Sequence, residues 1–386
     1  MVDLNHLTAT EARNPATMSA DSMTVLDFLT TMNQEDHKVA AAVAKALPSI
    51  AQAVELVVGA IQRGGRLVYA GAGTSGRLGV LDAAECPPTF DTPPGLVVGL
   101  IAGGEAAMTQ AVEGAEDSPA LAADQLDQIG FGPEDVLVGI AASGRTPFVI
   151  GALAHARRLG AATVSIACNL GAEVSRHADV AIEVDNGPEV ITGSTRLKAG
   201  TSQKLILNML STASMVRLGK VYGNLMVDVR PTNEKLLARA VNIVRAATGC
   251  SQQDAERALA GSGQRAKTAI VMLVAGLDAA AAERRLAAAG GFVRDALTET
   301  ASEPASETTS ESAAESAAEP ATESTSEPAS EPAAEPTSKP ARQVASKAAR
   351  QAARETAPSA ASAASAASAA STASTASAVP APARPA

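Results

Sequence analysis

The chain has 386 residues, a net charge of −10 and 46% hydrophobic but only 2% aromatic residues. Such an acidic balance excludes a general nucleic-acid binder, which needs a basic face toward phosphates. Cys86, Cys168 and Cys250, and His6, His37, His155 and His177, are too scattered for a disulfide framework or a metal site. No run reaches the roughly 18 apolar residues of a membrane span, and residues 1–10 have no leader pattern, so a cytoplasmic protein without metal or membrane partner is expected.

Residues 1–36 read as a polar segment, with a turn at 10–15 and a short helix over 22–32. From 37 to 63 apolar residues recur at helical spacing, and Pro48 should split that run into two helices. Residues 66–79, Arg-Leu-Val-Tyr-Ala-Gly-Ala-Gly-Thr-Ser-Gly-Arg-Leu-Gly, then read as a buried strand, a glycine-rich turn and a helix. Gly71, Gly73 and Gly76 are expected to take positive φ and let the backbone approach a ligand. The N–H groups of the helix start, with the hydroxyls of Thr74 and Ser75, would serve an anion. The same letters match the G-x-G-x-x-G of dinucleotide binding, but the acid required about twenty residues later is missing. A sugar-phosphate loop is favoured over a nucleotide loop and over a purely structural turn.

Four further apolar runs, at 96–101, 136–141, 162–167 and 180–184, alternate with helical segments. Together with the first they predict an α/β fold, a doubly wound parallel five-stranded sheet flanked by helices. Ligands in such sheets sit at the C-terminal strand ends, where Ser143-Gly144-Arg145-Thr146-Pro147 also falls. Alone, that loop is an ordinary helix start with Ser143 or Thr146 as N-cap; paired with 71–76, it becomes the second jaw of a phosphate clamp. Residues 191–204 are dense in hydroxyls and cations, Ser194 and Lys198 among them, ahead of an apolar helix at 205–218. They read as a ligand-closing loop, although a well-capped surface helix shares some of these features.

Alanine-rich helices with breaks near Gly249, 261–263, Gly276 and 290–291 predict a small bundle over 231–297. From 298 onward ten glutamates recur at every fourth position from Glu299 to Glu335, followed by Lys339, Arg342, Lys347, Arg350 and Arg354. With Val344 and Val379 as its only large aliphatics, this tail is expected to be a disordered, solvated extension. The division is therefore 1–36, a sugar-phosphate domain at 37–230, the bundle at 231–297 and the tail at 298–386.

Two acids lie beside this machinery. Glu85 is on the helix leaving the first loop, which Pro87-Pro88 should end, and Glu116 follows the second strand. Taken alone, either is an ordinary solvated carboxylate.

The segments at 10–15, 71–79, 82–90 (Asp-Ala-Ala-Glu-Cys-Pro-Pro-Thr-Phe), 142–147, 192–201 (Thr-Gly-Ser-Thr-Arg-Leu-Lys-Ala-Gly-Thr) and 220–228 resemble the N-acetylmuramic acid 6-phosphate etherases over residues 5–297. The resemblance implies the sugar isomerase (SIS) fold, a homodimer, and cleavage of a lactyl ether in the recycling of cell-wall amino sugars. It implies Glu85 and Glu116 as the acid/base pair, and Ser75, Ser143 and Thr146 as holders of the 6-phosphate within the loops that contain Gly73, Thr74 and Gly144. Isomerases of this fold usually carry S-x-S-G in the second loop; Ala141 replaces the first serine here, which favours the etherase branch. In the ring-opened substrate the C2 proton lies α to an aldehyde and the lactyl oxygen β to it. Two carboxyl groups therefore suffice for elimination and rehydration, with no cofactor. The alternatives are an aldose–ketose isomerase and a non-catalytic sugar-phosphate sensor, for which no basic recognition helix precedes residue 66.

Overall fold

Strands of a sheet covered on both faces are short and nearly continuously apolar, and five such runs build the centre of the molecule, β1 (Leu67–Gly71), β2 (Val97–Ile101), β3 (Val136–Ala141), β4 (Ala162–Ala167) and β5 (Val180–Glu183), with β2 and β5 only partly buried at the edges. The structure is a computed structural model that describes residues 9–229, 231 and 233–298; the tail expected from 298 onward lies outside the described residues, apart from Thr298. All five strands are parallel, in the order β2-β1-β3-β4-β5. The pleat sends Leu67 and Tyr69 of β1 into one core and Val68 and Ala70 into the other. Helices α1 (Val25–Ala44), α2 (Leu47–Gln62), α3 (Gly73–Phe90) and α6 (Lys198–Arg217) cover the first core, and α4 (Pro119–Gln128) and α5 (Pro147–Arg158) cover the second.

Two expectations about helix ends are corrected. The short helix expected at 22–32 and the start of the next periodic run are one helix, α1, capped by Thr24, whose Oγ1 accepts the Asp27 N–H. The boundary drawn at 36/37 thus falls inside α1, and the break comes at Lys45–Ala46. The run is two helices, as Pro48 led one to expect, and Pro48 sits in the first turn of α2, at a position whose N–H would have no partner anyway. Likewise α3 runs through Pro87-Pro88 to Phe90 and stops at Asp91, in the left-handed region at φ 47°. These prolines occupy the last turn, where only the carbonyls of Ala83 and Ala84 lose a ladder partner.

After α6 the chain makes a hairpin that the sequence reading had not marked, β6 (Val221–Tyr222) with β7 (Leu225–Met226), turned at Gly223-Asn224 with Gly223 at φ +59°. Then follow α7 (Glu234–Thr248), α8 (Gln252–Gly261), α9 (Ala266–Ala275), α10 (Ala279–Ala288) and α11 (Val293–Thr298), which share a core with the hairpin. Gly249 and Gly276 end α7 and α9 in left-handed C-caps, the role their spacing foretold. Among the described residues no single helix is long and apolar enough to cross a membrane.

Candidate active site

Because β1 has β2 on one side and β3 on the other, the chain leaves it first one way and then the other. The loops after β1 and β3 therefore flank the crevice where doubly wound sheets hold ligands. Gly71 pairs in register with Ile140, so both loops start from the same level of the sheet. The three loop glycines have different reasons. A Cβ on Gly76 would stand 2.5 Å from Gly71 O and 2.7 Å from Ile101 Cγ1, and one on Gly71 would stand 2.7 Å from Gly76 N. These two let α3 begin hard against the end of β1, and only Gly73 takes positive φ, at +53°. The expected positive φ at all three is corrected accordingly.

In the second loop Gly144 combines φ +76° with a Cβ position 2.5 Å from Ala172 Cβ. Gly144→Ala is expected to destabilise the protein by about 1–3 kcal/mol through backbone strain and overlap. Thermal unfolding measures it, and an unshifted midpoint would show that the loop accommodates a methyl group.

Which helix starts are open to an anion is decided by what already caps them. At α3 the N-cap is Ala72, which has no group to offer, and at α5 the N-cap Thr146 makes no capping bond with its side chain. Ser143 does not cap α5 either; its Oγ accepts the Arg145 N–H at 3.4 Å. Both helix starts facing the crevice thus keep N–H groups without a capping side chain. At α6 the protein supplies its own anion. Glu189, buried, accepts the Lys198 and Ala199 N–H groups at 3.0 and 2.9 Å. Burial raises its pKa above the usual carboxylate value, and those bonds offset the rise only in part.

Lys198 is committed as well. Its side chain is 1% exposed, and Nζ donates to Glu35 Oε2 at 2.7 Å and to Asn186 O at 2.9 Å. The ammonium expected to meet a sugar phosphate holds α1 to α6 instead, and the sequence expectation for Lys198 is corrected on that geometry. Ser194 is half-buried in the preceding loop, its N–H bonded to Ile191 O. That loop lies against the N-terminal segment, since a Cβ on Gly193 would come within 3.5 Å of Glu11 Oε2. Asn14 Nδ2 donates to Pro188 O and Thr17 Oγ1 to Val190 O. Asn169, after β4, donates through Nδ2 to Thr10 Oγ1 and Ser143 O. The segment at 10–17 therefore straps the strand-end loops together. Asn169 and Glu189 escaped the sequence reading because their partners are remote in the chain.

The two candidate acids are placed apart. Glu116, on a short 3-10 turn at Ala115–Asp117, lines a cleft of 170 Å³ with Gly73, Arg77, Val112 and Glu113. Arg77 is steadied there by Nε donating to Met108 O. Glu85 does not line that cleft. It lies twelve residues along α3 from Gly73, about 18 Å at 1.5 Å per residue, on an exposed face with Leu81 and Ala84. Beneath it Asp82 is buried, accepting from Tyr69 OH at 2.8 Å and Ser211 Oγ at 3.1 Å. A larger cavity of 490 Å³ lies between α7 and α8, lined by Leu237, Val241, Leu259 and Glu256, and includes no residue of either glycine loop.

Comparison with known proteins gives the site a family. A protein from Cutibacterium acnes named N-acetylmuramic acid 6-phosphate etherase is 60% identical over 299 residues, which is 78% of this chain and 98% of that protein. One of the same name from Mycolicibacterium smegmatis is 61% identical over 296 residues, 77% and 99% of the two chains. The chain belongs to the N-acetylmuramic acid 6-phosphate etherase family. Within this etherase-family chain, the glucokinase regulatory protein N-terminal SIS domain matches residues 49–157 and the SIS domain matches 108–213, so the sheet has the SIS fold. The C-terminal lid domain of glucokinase regulatory protein matches 223–265, which takes in α7 and α8. A solved phosphoheptose isomerase from Francisella tularensis aligns with 50% of this etherase-family chain and 100% of its own, at 23% identity and a TM-score of 0.42.

Proposed function

We propose that the crevice at the ends of β1 and β3 cleaves the D-lactyl ether of N-acetylmuramic acid 6-phosphate, yielding N-acetylglucosamine 6-phosphate and D-lactate. The protein is then a carbon–oxygen lyase acting in the recycling of cell-wall amino sugars. One observation carries this reading over an isomerase or a sensor: relatives named for this etherase activity match the chain at about 60% identity across 98–99% of their own length. The geometry supports where the substrate lies. Its 6-phosphate sits at the uncapped starts of α3 and α5, against Gly73, Thr74 and Ser75 on one side and Ser143, Gly144 and Thr146 on the other, with Ser194 on the adjoining loop.

With the sugar open, a carboxylate takes the C2 proton and the electron pair delocalises onto the C1 oxygen as an enolate. It returns to expel the lactyl oxygen from C3 as that oxygen takes a proton from the second carboxyl group. Water then adds to C3 of the unsaturated aldehyde, its proton passing to a carboxylate, and C2 is reprotonated. One water is consumed and no electrons are gained or lost. Glu116 and Glu85 are the two carboxyl groups of this reading. Since Glu85 stands about 18 Å along α3 from the cleft that holds Glu116, the pair is completed by Glu85 of a second copy. A homodimer is also supported by uncovered apolar residues, Val25, Leu26 and Leu29 on the first turns of α1 and Leu81 one turn before Glu85. The three cysteines, all free thiols, suit a reducing cytoplasm.

A coupled assay for D-lactate tests the reaction: release from the muramyl phosphate is expected, and ketose formation without lactate, or binding without turnover, would replace it with one of the alternatives. The route is tested by isotopes. Elimination and hydration puts solvent deuterium at C2 and ¹⁸O from water on the C3 hydroxyl, leaving lactate unlabelled, whereas attack at the lactyl carbon labels lactate instead.

A further inference from the structure

Ser75 has one hydroxyl proton, and in this structure it is already engaged: Oγ donates to Gln203 Oε1 at 3.0 Å. Gln203 is on α6, 1% exposed, and its Nε2 is fully buried with no partner among the described residues. Leaving an amide donor unpaired in a core is unfavourable, and the helices meet closely beside it: a Cβ on Gly200, one turn earlier, would stand 3.4 Å from Thr74 Cγ2, in van der Waals contact. The first turn of α6 is thus pressed onto the first turn of α3, at the place where the capping side chain is missing.

We propose that Gln203 is a positioning residue that makes Ser75 a donor for the substrate's phosphate, through an exchange of hydrogen bonds on binding. This rests on the reading that the α3 start holds the 6-phosphate. A phosphate oxygen can only accept, so Ser75 must swing its proton away from Gln203 to serve it. That move would strand Oε1 if the amide stayed still. A half-turn of the carboxamide brings Nε2 round to donate to Ser75 Oγ and puts Oε1 where Nε2 had been, so the buried atom without a partner changes from a donor to an acceptor, the less costly of the two to leave unpaired, as the ligand arrives. A neutral hydroxyl in the same place would supply both donor and acceptor and would not drive the exchange. Gln203 therefore favours a phosphate ester over an unphosphorylated sugar, although it touches neither.

Gln203→Met fills the same space without the amide, and Gln203→Glu keeps an acceptor while removing the donor. For each full-length variant the melting temperature is followed against inorganic phosphate, and KM and kcat for lactate release are measured. Both variants are expected to fold, to need about tenfold more phosphate for the same rise in melting temperature, and to raise KM by a similar factor with kcat changed less than about threefold. In a Ser75→Ala background, Gln203→Met should weaken phosphate binding no further. Wild type stabilised by phosphate with Gln203→Met stabilised equally, or additive losses in the double variant, would overturn the role of Gln203 alone. Wild type unmoved by phosphate would overturn the anion reading of the α3 start together with it. Failure of both Gln203 variants to fold would make the residue a packing element and also overturn the proposal.

Discussion

Glu116→Gln is expected to lower D-lactate release by about 10²–10⁴-fold while inorganic phosphate still raises the melting temperature. The amide keeps the shape of the carboxylate on the wall of the 170 Å³ cleft but cannot take or give the proton. Phosphate binding survives because it draws on the helix starts, not on this acid. Glu85→Gln should show the same loss, and the two together give a test that neither gives alone. If each site takes Glu116 from one chain and Glu85 from the other, co-expressing the two inactive variants makes hybrid dimers in which one site has lost both acids and the other has kept both. Random pairing makes half of the dimers hybrids, so about a quarter of wild-type activity should return. A mixture as inactive as its parents would mean that both acids serve from one chain, and α3 would then have to move to deliver Glu85.

How legible this was follows from where each residue's partners lie. The five strands could be read because a strand buried on both faces has little freedom but to be apolar throughout, and the crevice followed from alternation with helices. The α3 start could be read because its glycines sit next to the contacts that require them. The acids were legible only in part: position beside the loops picked out Glu85 and Glu116, but an exposed glutamate looks like any other, and only the resemblance implied a role for them. Lys198 misled for a related reason. A cation beside hydroxyls at a helix start has the local pattern of a phosphate site, but its partner Glu35 lies 163 positions away. The link between Ser75 and Gln203 spans 128 positions and leaves no local trace either. Helix α1 was divided in the reading because its first turns expose Val25, Leu26 and Leu29, which blurs the apolar stripe that marks its second half.

Glu35→Gln is the second large effect, expected to destabilise the protein by about 3–5 kcal/mol, because it replaces the carboxylate beside the buried Lys198 ammonium with a neutral amide and leaves that charge only carbonyl acceptors within hydrogen-bond reach. That corresponds to a fall of roughly 5–10 °C in melting temperature for a folded part of this size. Lys198→Met should cost less, since Glu35 keeps Lys38 on its other oxygen, and the double variant Glu35→Leu with Lys198→Met should recover much of the loss. The pH dependence has a definite sign. Burial alone would raise the Glu35 pKa, but hydrogen bonds from Lys198, Lys38 and Asn14, with the Lys198 charge, lower it from 4.5 to about 2. A depressed carboxylate contributes its stability above the unfolded value and loses it as the folded group protonates. Wild type should therefore lose this contribution between about pH 4.5 and 2, and Glu35→Gln should show a shallower acid transition. Activity separates this role from the one the sequence suggested. Below its melting range Lys198→Met should keep a KM within about threefold of wild type, whereas removal of a charge-assisted phosphate contact would raise KM by tenfold or more.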